Sequence, residues 1–238
     1  MTKPSTEFQD LSDMRVAYWQ CGGGPDLLLL HGNSESKAIF AEYPDQFPNF
    51  HIWALDSRCQ GESRSLDDSL SIEQVSNDVI RFCEAKGIKQ AAVVGYSDGG
   101  NVALFLAKKA PQLFTKVVAI SPNTLVSGST DGMLRVLRIV VGLLNFLAGL
   151  GFNVKKTLLV INLMTRDIGL SFEDLKEIKT SVKVIYAEKD LIKEKHIKDI
   201  AAAIPGSSLD KVPGCTHLSI IRTPSAIRIM QDYLQKSI

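Results

Sequence analysis

The chain has 238 residues, 45% of them apolar and 22% charged, with 27 Lys and Arg against 26 Asp and Glu for a formal net charge of +1. That length carries one well-buried core, alone or with a modest insertion. Near-neutral charge without a basic block excludes the electrostatic footprint of a nucleic-acid binder. Thr2 to Asp13 is polar and acidic where a secretory leader needs an apolar core, and Cys21, Cys59, Cys83 and Cys215 form no C-x-x-C pair. A cytoplasmic protein with free thiols is therefore expected.

Met14 to Cys21 reads as an edge strand, followed by a turn at Gly22 to Pro25. Asp26 to Leu30 is nearly all apolar, the pattern of a strand buried on both faces, and runs straight into His31-Gly32-Asn33. Ile39 to Phe47 reads as a helix ended by Pro48. His51 to Leu55 is the next buried strand, closing at Asp56 before a polar loop, Ser57 to Asp68. Ser71, with Gln74 three residues on, predicts a capping box. The helix it opens buries Val75, Val79, Ile80, Phe82 and Cys83 and is closed by Gly87.

Val93 to Gly100 reads V-V-G-Y-S-D-G-G and joins an apolar strand, Ala91 to Val94, to an amphipathic helix, Asn101 to Lys109. Ser97 stands at the apex of a turn that needs glycine at Gly95 and Gly99, the form of a nucleophile elbow. By itself the segment also fits a plain Gly-rich strand-to-helix turn. Lys116 to Ser121 is another buried strand.

From Asn123 to about Leu175 the alternation stops, leaving two apolar helix candidates, Met133 to Leu150 and Val154 to Met164, joined through Gly149 to Gly151. Their charges are Arg135, Arg138, Lys155 and Lys156. The uncharged run Ile139 to Phe152 is shorter than the roughly 20 residues that span a bilayer, so stable membrane insertion is not expected. The pair reads as a lid across the strand ends, or else as an extra helical layer with no substrate role.

Val182 to Ala187 and Ser208 to Val212 are the last strands, with a helix from Lys193 to Ile204 between them and a terminal helix from His217 to Gln235. The alternation predicts an α/β fold, a mostly parallel central sheet with helices on both faces and its working groups at the carboxyl ends of the strands. Residues 1–122 and 176–238 form the predicted core, and 123–175 an inserted helical cap.

A serine nucleophile needs a base. His51 starts a buried-strand pattern and belongs in or beside the core; His196 lies on a lysine-rich helix and is expected to face solvent. His31 ends a buried strand, where it either approaches a strand-end site or fixes the loop. His217 follows the last strand and is the leading candidate for the base. Asp190, in the turn after the strand ending at Ala187, is the leading carboxylate to orient it, with Glu188 and Asp56 as rivals; Asp56 is also explained as a cap organising Arg58 and Gly61. Negative charge on a carbonyl oxygen needs two donors, for which the backbone N–H groups of Asp98 and Asn33 are placed, each worth about 3 kcal/mol to the transition state. Asn33 as a purely structural turn residue is the alternative.

H-G-N-S-E-S at His31 to Ser36, D-S-R-C-Q-G-E-S at Asp56 to Ser63, G-Y-S-D-G-G at Gly95 to Gly100, A-E-K-D at Ala187 to Asp190 and G-C-T-H at Gly214 to His217 together resemble the α/β-hydrolase superfamily over essentially the whole chain. The resemblance implies Ser97 as nucleophile, Asp190 as acid, His217 as base, and an oxyanion hole from Asn33 and Asp98. It implies an esterase-like enzyme with a short helical cap, no metal and no cofactor, acting on a small-molecule substrate. The cap's leucines and valines, with Phe146 and Phe152, favour a small or medium, largely apolar ester, thioester or lactone. A monomer or homodimer is expected.

The sequence departs from the family pattern at Cys59, where relatives carry glycine after Arg58, which shifts the loop or leaves a thiol beside the pocket. Asp98 follows the nucleophile, either salt-bridged elsewhere or facing a cationic substrate group. Two alternatives remain: hydrolysis of a carbon–carbon bond, with Arg135 or Arg138 turned inward to hold a carboxylate, and a non-catalytic receptor or interaction module.

Overall fold

In the computed structural model, which describes residues 4–65 and 69–235, the apolar runs form the middle of one mixed sheet. Its strands are β1 (Glu7–Asp10), β2 (Met14–Gly22), β3 (Asp26–Leu30), β4 (His51–Leu55), β5 (Arg64–Ser65), β6 (Ala91–Tyr96), β7 (Phe114–Ile120), β8 (Ser181–Lys189) and β9 (Ser208–Thr216). They lie in the order β1-β2-β4-β3-β6-β7-β8-β9, with β5 on β2. The pairs involving β2 are antiparallel, and from β4 across to β9 each neighbouring pair is parallel.

The leucine run of β3 explains the layering. Leu28 and Leu30 enter one apolar cluster and Leu27 and Leu29 another, because successive side chains leave opposite faces of a strand. Each such side chain contributes roughly 2 kcal/mol by leaving water, so both faces need a helical cover. Helices α2 (Ile72–Lys86), α3 (Asp98–Lys109) and α7 (Glu194–Ala203) cover the first face; α1 (Tyr43–Gln46) and α8 (Pro224–Gln235) cover the second. Between β7 and β8 the chain folds into α4 (Asp131–Gly149), α5 (Lys155–Ile161), a 3-10 turn at Asn162–Thr165 and α6 (Phe172–Lys176).

Ser71 caps α2 by accepting the Gln74 N–H, and Gly87 closes that helix at φ +70°. Three expectations are corrected. Met14 to Cys21 is not the edge, because β1 pairs outside it; β1 carries only Phe8 as an apolar residue and so gave no hydrophobic signal. Ile39 to Phe47 is not one helix: a 3-10 turn, Lys37–Phe40, is followed by α1, which Pro44 opens because it has no N–H to continue the earlier turn. The terminal helix begins at Pro224 and not at His217, which lies in a turn ahead of a 3-10 segment, Ile220–Arg222. Thr2 and Lys3 of the leader stretch, and residues 66–68 of the loop predicted from Ser57, lie outside the described residues.

Candidate active site

Where β6 meets α3, three backbones press together. A Cβ on Gly95 would stand 2.0 Å from the Gly99 carbonyl oxygen, and one on Gly99 would stand 2.1 Å from that of Leu30 in β3. Only glycine fits either position, and the compression leaves Ser97 at φ +55° and ψ −116°, a conformation that side-chain-bearing residues rarely adopt. Its N–H donates to Ile120 of β7 at 2.8 Å and its carbonyl accepts from Asn101 at 3.0 Å, starting α3. The hydroxyl is thus held at the carboxyl end of the sheet, above a helix N-terminus.

The turn after β9 brings His217 to it. The His217 N–H donates to the Lys189 carbonyl at 3.2 Å, its carbonyl accepts from the Tyr96 hydroxyl at 3.0 Å, and its ring packs on Tyr96 with centroids 5.3 Å apart. Nε2 lies 3.1 Å from the Ser97 Oγ, and Nδ1 lies 2.6 Å from the Asp190 Oδ1. Asp190 is fixed in turn: Oδ2 accepts from the Ser121 hydroxyl at 2.6 Å and the Ala187 N–H at 2.9 Å, and Oδ1 from the Ile192 N–H at 3.0 Å. Burial pushes this carboxyl up, but the bonds and charge of His217, with the donors from Ser121 and Ile192, outweigh it and hold the group below its ordinary range. An ionised Asp190 demands a proton on Nδ1, which turns the Nε2 lone pair toward the serine hydroxyl.

The loop after β3 closes the other side. A Cβ on Gly32 would lie 3.2 Å from that of Ser97, so the Gly32-Asn33 backbone passes directly against the elbow. Asn33 and Asp98, both predicted at the site, are joined: the Asn33 amide donates to Asp98 Oδ2 at 2.9 Å and to the Val160 carbonyl of α5 at 2.7 Å. Asp98 is buried, and burial raises its carboxyl despite the amides of Asn33 and Asn101. Its hydrogen-bond partners are these amides, which corrects the expectation of a salt bridge elsewhere.

Two residues escaped the sequence reading. Ser121, just past β7 at φ +50°, holds Asp190; a serine immediately after a buried strand was its only signal. Glu35, inside the H-G-N-S-E-S stretch, accepts the Gly32 N–H at 3.0 Å, and burial pushes its half-buried carboxyl up.

The remaining candidates have structural partners. Glu188 is exposed and accepts the Gly214 N–H at 2.9 Å, shaping the turn before His217 without touching its ring. Asp56 sits against Gly61, as expected, and also pairs with Lys37 at 2.8 Å, but it does not organise Arg58, which is bound by Asp78 at 2.7 Å and Asp13 at 2.8 Å. His31 fixes its loop, with Nδ1 on the Gly32 carbonyl and Nε2 accepting from the Ser57 N–H. His51 is half-buried, 3.0 Å from Asp26. His196 is corrected from exposed to buried: α7 turns it under the helical segment, where Nε2 accepts the Thr124 N–H at 3.2 Å and Gly128 leaves room for the ring.

Ser97 and His217 face a cleft with a cavity volume of about 40 Å³, lined among others by the polar Asn101, Asn123 and Ser129 and the apolar Met133, Leu137 and Leu163. Arg166 also lines it, with its guanidinium on the Leu70 carbonyl, whereas Arg135 and Arg138 are exposed on α4 and do not line it; the expectation that Phe146 and Phe152 favour an apolar substrate is corrected likewise, since both side chains are exposed and neither lines the cleft. Cys59 adopts φ +62°, the left-handed region glycine would take, and lines a neighbouring cleft with Gln60 and Val160, not the one at Ser97. Among the described residues no three His, Cys, Asp or Glu side chains are grouped to hold a metal ion.

Comparison with known proteins bears on the fold that carries these residues. The acetoin-cleaving-system dihydrolipoyllysine-residue acetyltransferase component of Cupriavidus necator is 34% identical over 155 residues, 60% of this chain and 41% of that protein. The pimeloyl-[acyl-carrier protein] methyl ester esterase of Vibrio vulnificus is 31% identical over 108 residues, 44% of this chain and 40% of that protein. The chain thus spans less than half the length of these curated relatives. A solved hydrolase from Pseudomonas aeruginosa shares the fold at 22% identity, with a TM-score of 0.77 over 97% of this chain and 98% of that one. Residues 25–167, more than half of the sequence, match the family pattern described as the alpha/beta hydrolase fold, and the chain belongs to that family.

Proposed function

We propose that the protein is a serine hydrolase that cleaves small or medium, largely apolar carboxylic esters, thioesters or lactones through an acyl-enzyme on Ser97. The observation that carries this reading is the unbroken line of hydrogen bonds from Asp190 through His217 to the Ser97 hydroxyl at the edge of a cleft. His217 takes the Ser97 proton as the oxygen attacks the carbonyl carbon; the backbone N–H groups of Asn33 and Asp98 receive the oxyanion. His217 returns the proton to the leaving group, then activates the water that frees the acyl product and restores the serine. Asp190 holds the ring and stabilises its charged form without itself being protonated. No metal or cofactor enters these steps.

In this reading residues 123–175 act as a cap over the core of residues 1–122 and 176–238, and the protein works in the cytoplasm. The apolar cleft wall of Met133, Leu137 and Leu163 supports an apolar acyl or alcohol portion. The carbon–carbon hydrolase reading relied on Arg135 or Arg138 turned inward, and both face solvent. A receptor with a vestigial site gives no reason for Asp190 to be so fully hydrogen-bonded.

A fluorophosphonate probe tests the proposal. Stoichiometric labelling of Ser97 that disappears in Ser97→Ala, with turnover across an ester panel of rising chain length, is expected; preference should be graded at about 1–3 kcal/mol per methylene. A folded wild type that neither labels nor turns over, or a Ser97→Ala variant as active as wild type, overturns it.

A further inference from the structure

Helix α4 presents an apolar stripe that nothing among the described residues covers. Val136, Ile139, Leu143, Phe146 and Leu150 recur at intervals of three and four residues, so they share one narrow face, and Phe152 follows three residues past the helix end. All six are exposed, Ile139 at 71% and Phe146 at 64%, although side chains of this size normally leave water. The opposite face is occupied: Leu137 is buried, and with Met133 it forms a wall of the cleft at Ser97. The stripe is therefore the outer surface of an element whose inner surface roofs the site.

Charge says what fits this face. Helix α4 itself carries two cations, Arg135 and Arg138, and a single acid, Asp131. Both cations are exposed, and Asp131 is paired with Lys193 at 3.4 Å. A second copy of this helix meeting the stripe would bury it without bringing an acid other than Asp131 to Arg135 and Arg138. A sheet of anionic headgroups over hydrocarbon meets both features at once, taking the apolar side chains into the acyl boundary and the guanidinium groups onto phosphate. At 19 residues α4 is long and apolar enough to cross a membrane by length and composition, but its other face is committed to the protein. That commitment lays the helix along the surface instead of across it.

We propose that the exposed face of α4, together with Phe152, is a docking surface for an anionic phospholipid bilayer. The inference does not depend on the hydrolytic reading, because it concerns attachment and not Ser97 chemistry.

The test is flotation of the full chain with vesicles of phosphatidylcholine alone or of phosphatidylcholine with phosphatidylglycerol, at low and high salt, alongside sedimentation velocity without lipid. The expected result is a monomer that binds the anionic vesicles, less so at high salt, and the neutral ones far more weakly. Binding should vanish in Ile139→Asp/Phe146→Asp and fall about fivefold for each cation removed in Arg135→Gln and Arg138→Gln. These side chains face solvent, so the melting temperature and fluorophosphonate labelling of the lipid-free variants should match wild type. A monomer that stays unbound, equal binding to neutral and anionic vesicles, or a dimer dissolved by Ile139→Asp/Phe146→Asp without vesicle binding each overturns the proposal. Vesicle binding by a chain that fails to label leaves it standing and overturns the hydrolytic reading alone.

Discussion

Asp190 and Ser121 divide one task unequally, and their substitutions should separate its parts. Asp190 supplies both the charge that stabilises a protonated His217 and the acceptor that fixes the ring at 2.6 Å. Asp190→Asn removes the charge and lets the neutral ring carry its proton on Nε2, facing Ser97, where it no longer accepts one. The fluorophosphonate labelling rate should drop about 10⁴-fold with the melting temperature little changed. Ser121 donates one hydrogen bond to the far oxygen of the same carboxylate, whose Ala187 and Ile192 donors remain. Bonds to charged groups are worth about 1.5–3 kcal/mol, only part of which is felt at the serine, so Ser121→Ala should slow labelling on the order of tenfold. Equal losses in the two variants would show that Ser121 does more than position the acid.

Glycines in two helices show how the same substitution changes sign with its surroundings. At the start of α3, a Cβ on Gly99 meets the Leu30 carbonyl oxygen at 2.1 Å, backbone against backbone, and neither side can yield without separating β3 from the elbow. Gly99→Ala should cost about 3 kcal/mol or more by urea unfolding. Gly142 in the middle of α4 has nothing among the described residues within 4 Å of its added Cβ, and there Gly→Ala should stabilise by roughly 0.5–1 kcal/mol. The contrast also marks what the sequence made legible. The strand, elbow and helix of Ala91 to Lys109 are local events, each announced by its own residues, and the turns carrying His217 and Asp190 were found because each follows a strand. Pro44 and Pro224 gave equally local signals of helix starts that hydrophobic periodicity obscured. Ser121, Glu35 and His196 differ in kind: nothing beside Ser121 in the chain reveals that β8 ends next to it, or beside His196 that Gly128 folds over its ring. Their roles exist only through contacts between remote segments.

Acid should destabilise the whole molecule from two sets of groups that titrate at different pH. The Nε2 atoms of buried His31 and His196 accept N–H bonds from Ser57 and Thr124, so protonation would break those bonds and bury a cation; burial accordingly lowers both rings below the ordinary imidazole range. Unfolded, they bind protons near pH 6.5, so below about that value the unfolded state holds more protons and stability falls as pH falls. Glu35 and Asp98 act in the opposite sense. Burial raises both carboxyls, so the folded state takes up their protons before the unfolded one and softens the loss. Near pH 4, at roughly the unfolded carboxylate value, a second set begins to count. Asp13 is held at about 2 by Arg81 and Arg58, Glu194 at about 2 by Lys198 and Lys211, and Asp190 below its usual range. Their stabilisation is complete above the unfolded carboxylate pKa and disappears as pH falls toward their folded values. Asp13 and Glu194 are substantially exposed, so solvent and salt weaken their share, and buried Asp190 carries more. Urea unfolding across a pH series should therefore show a decline that starts below about pH 7, before any ordinary carboxylate titrates, and steepens below about pH 4. Replacing His196 with Gln, which keeps an acceptor but cannot titrate, should make the upper part of that curve shallower, with His31 supplying the slope that is left, and leave the lower part in place; a wild-type curve already flat from about pH 7 to about pH 5 would remove the histidines from the account.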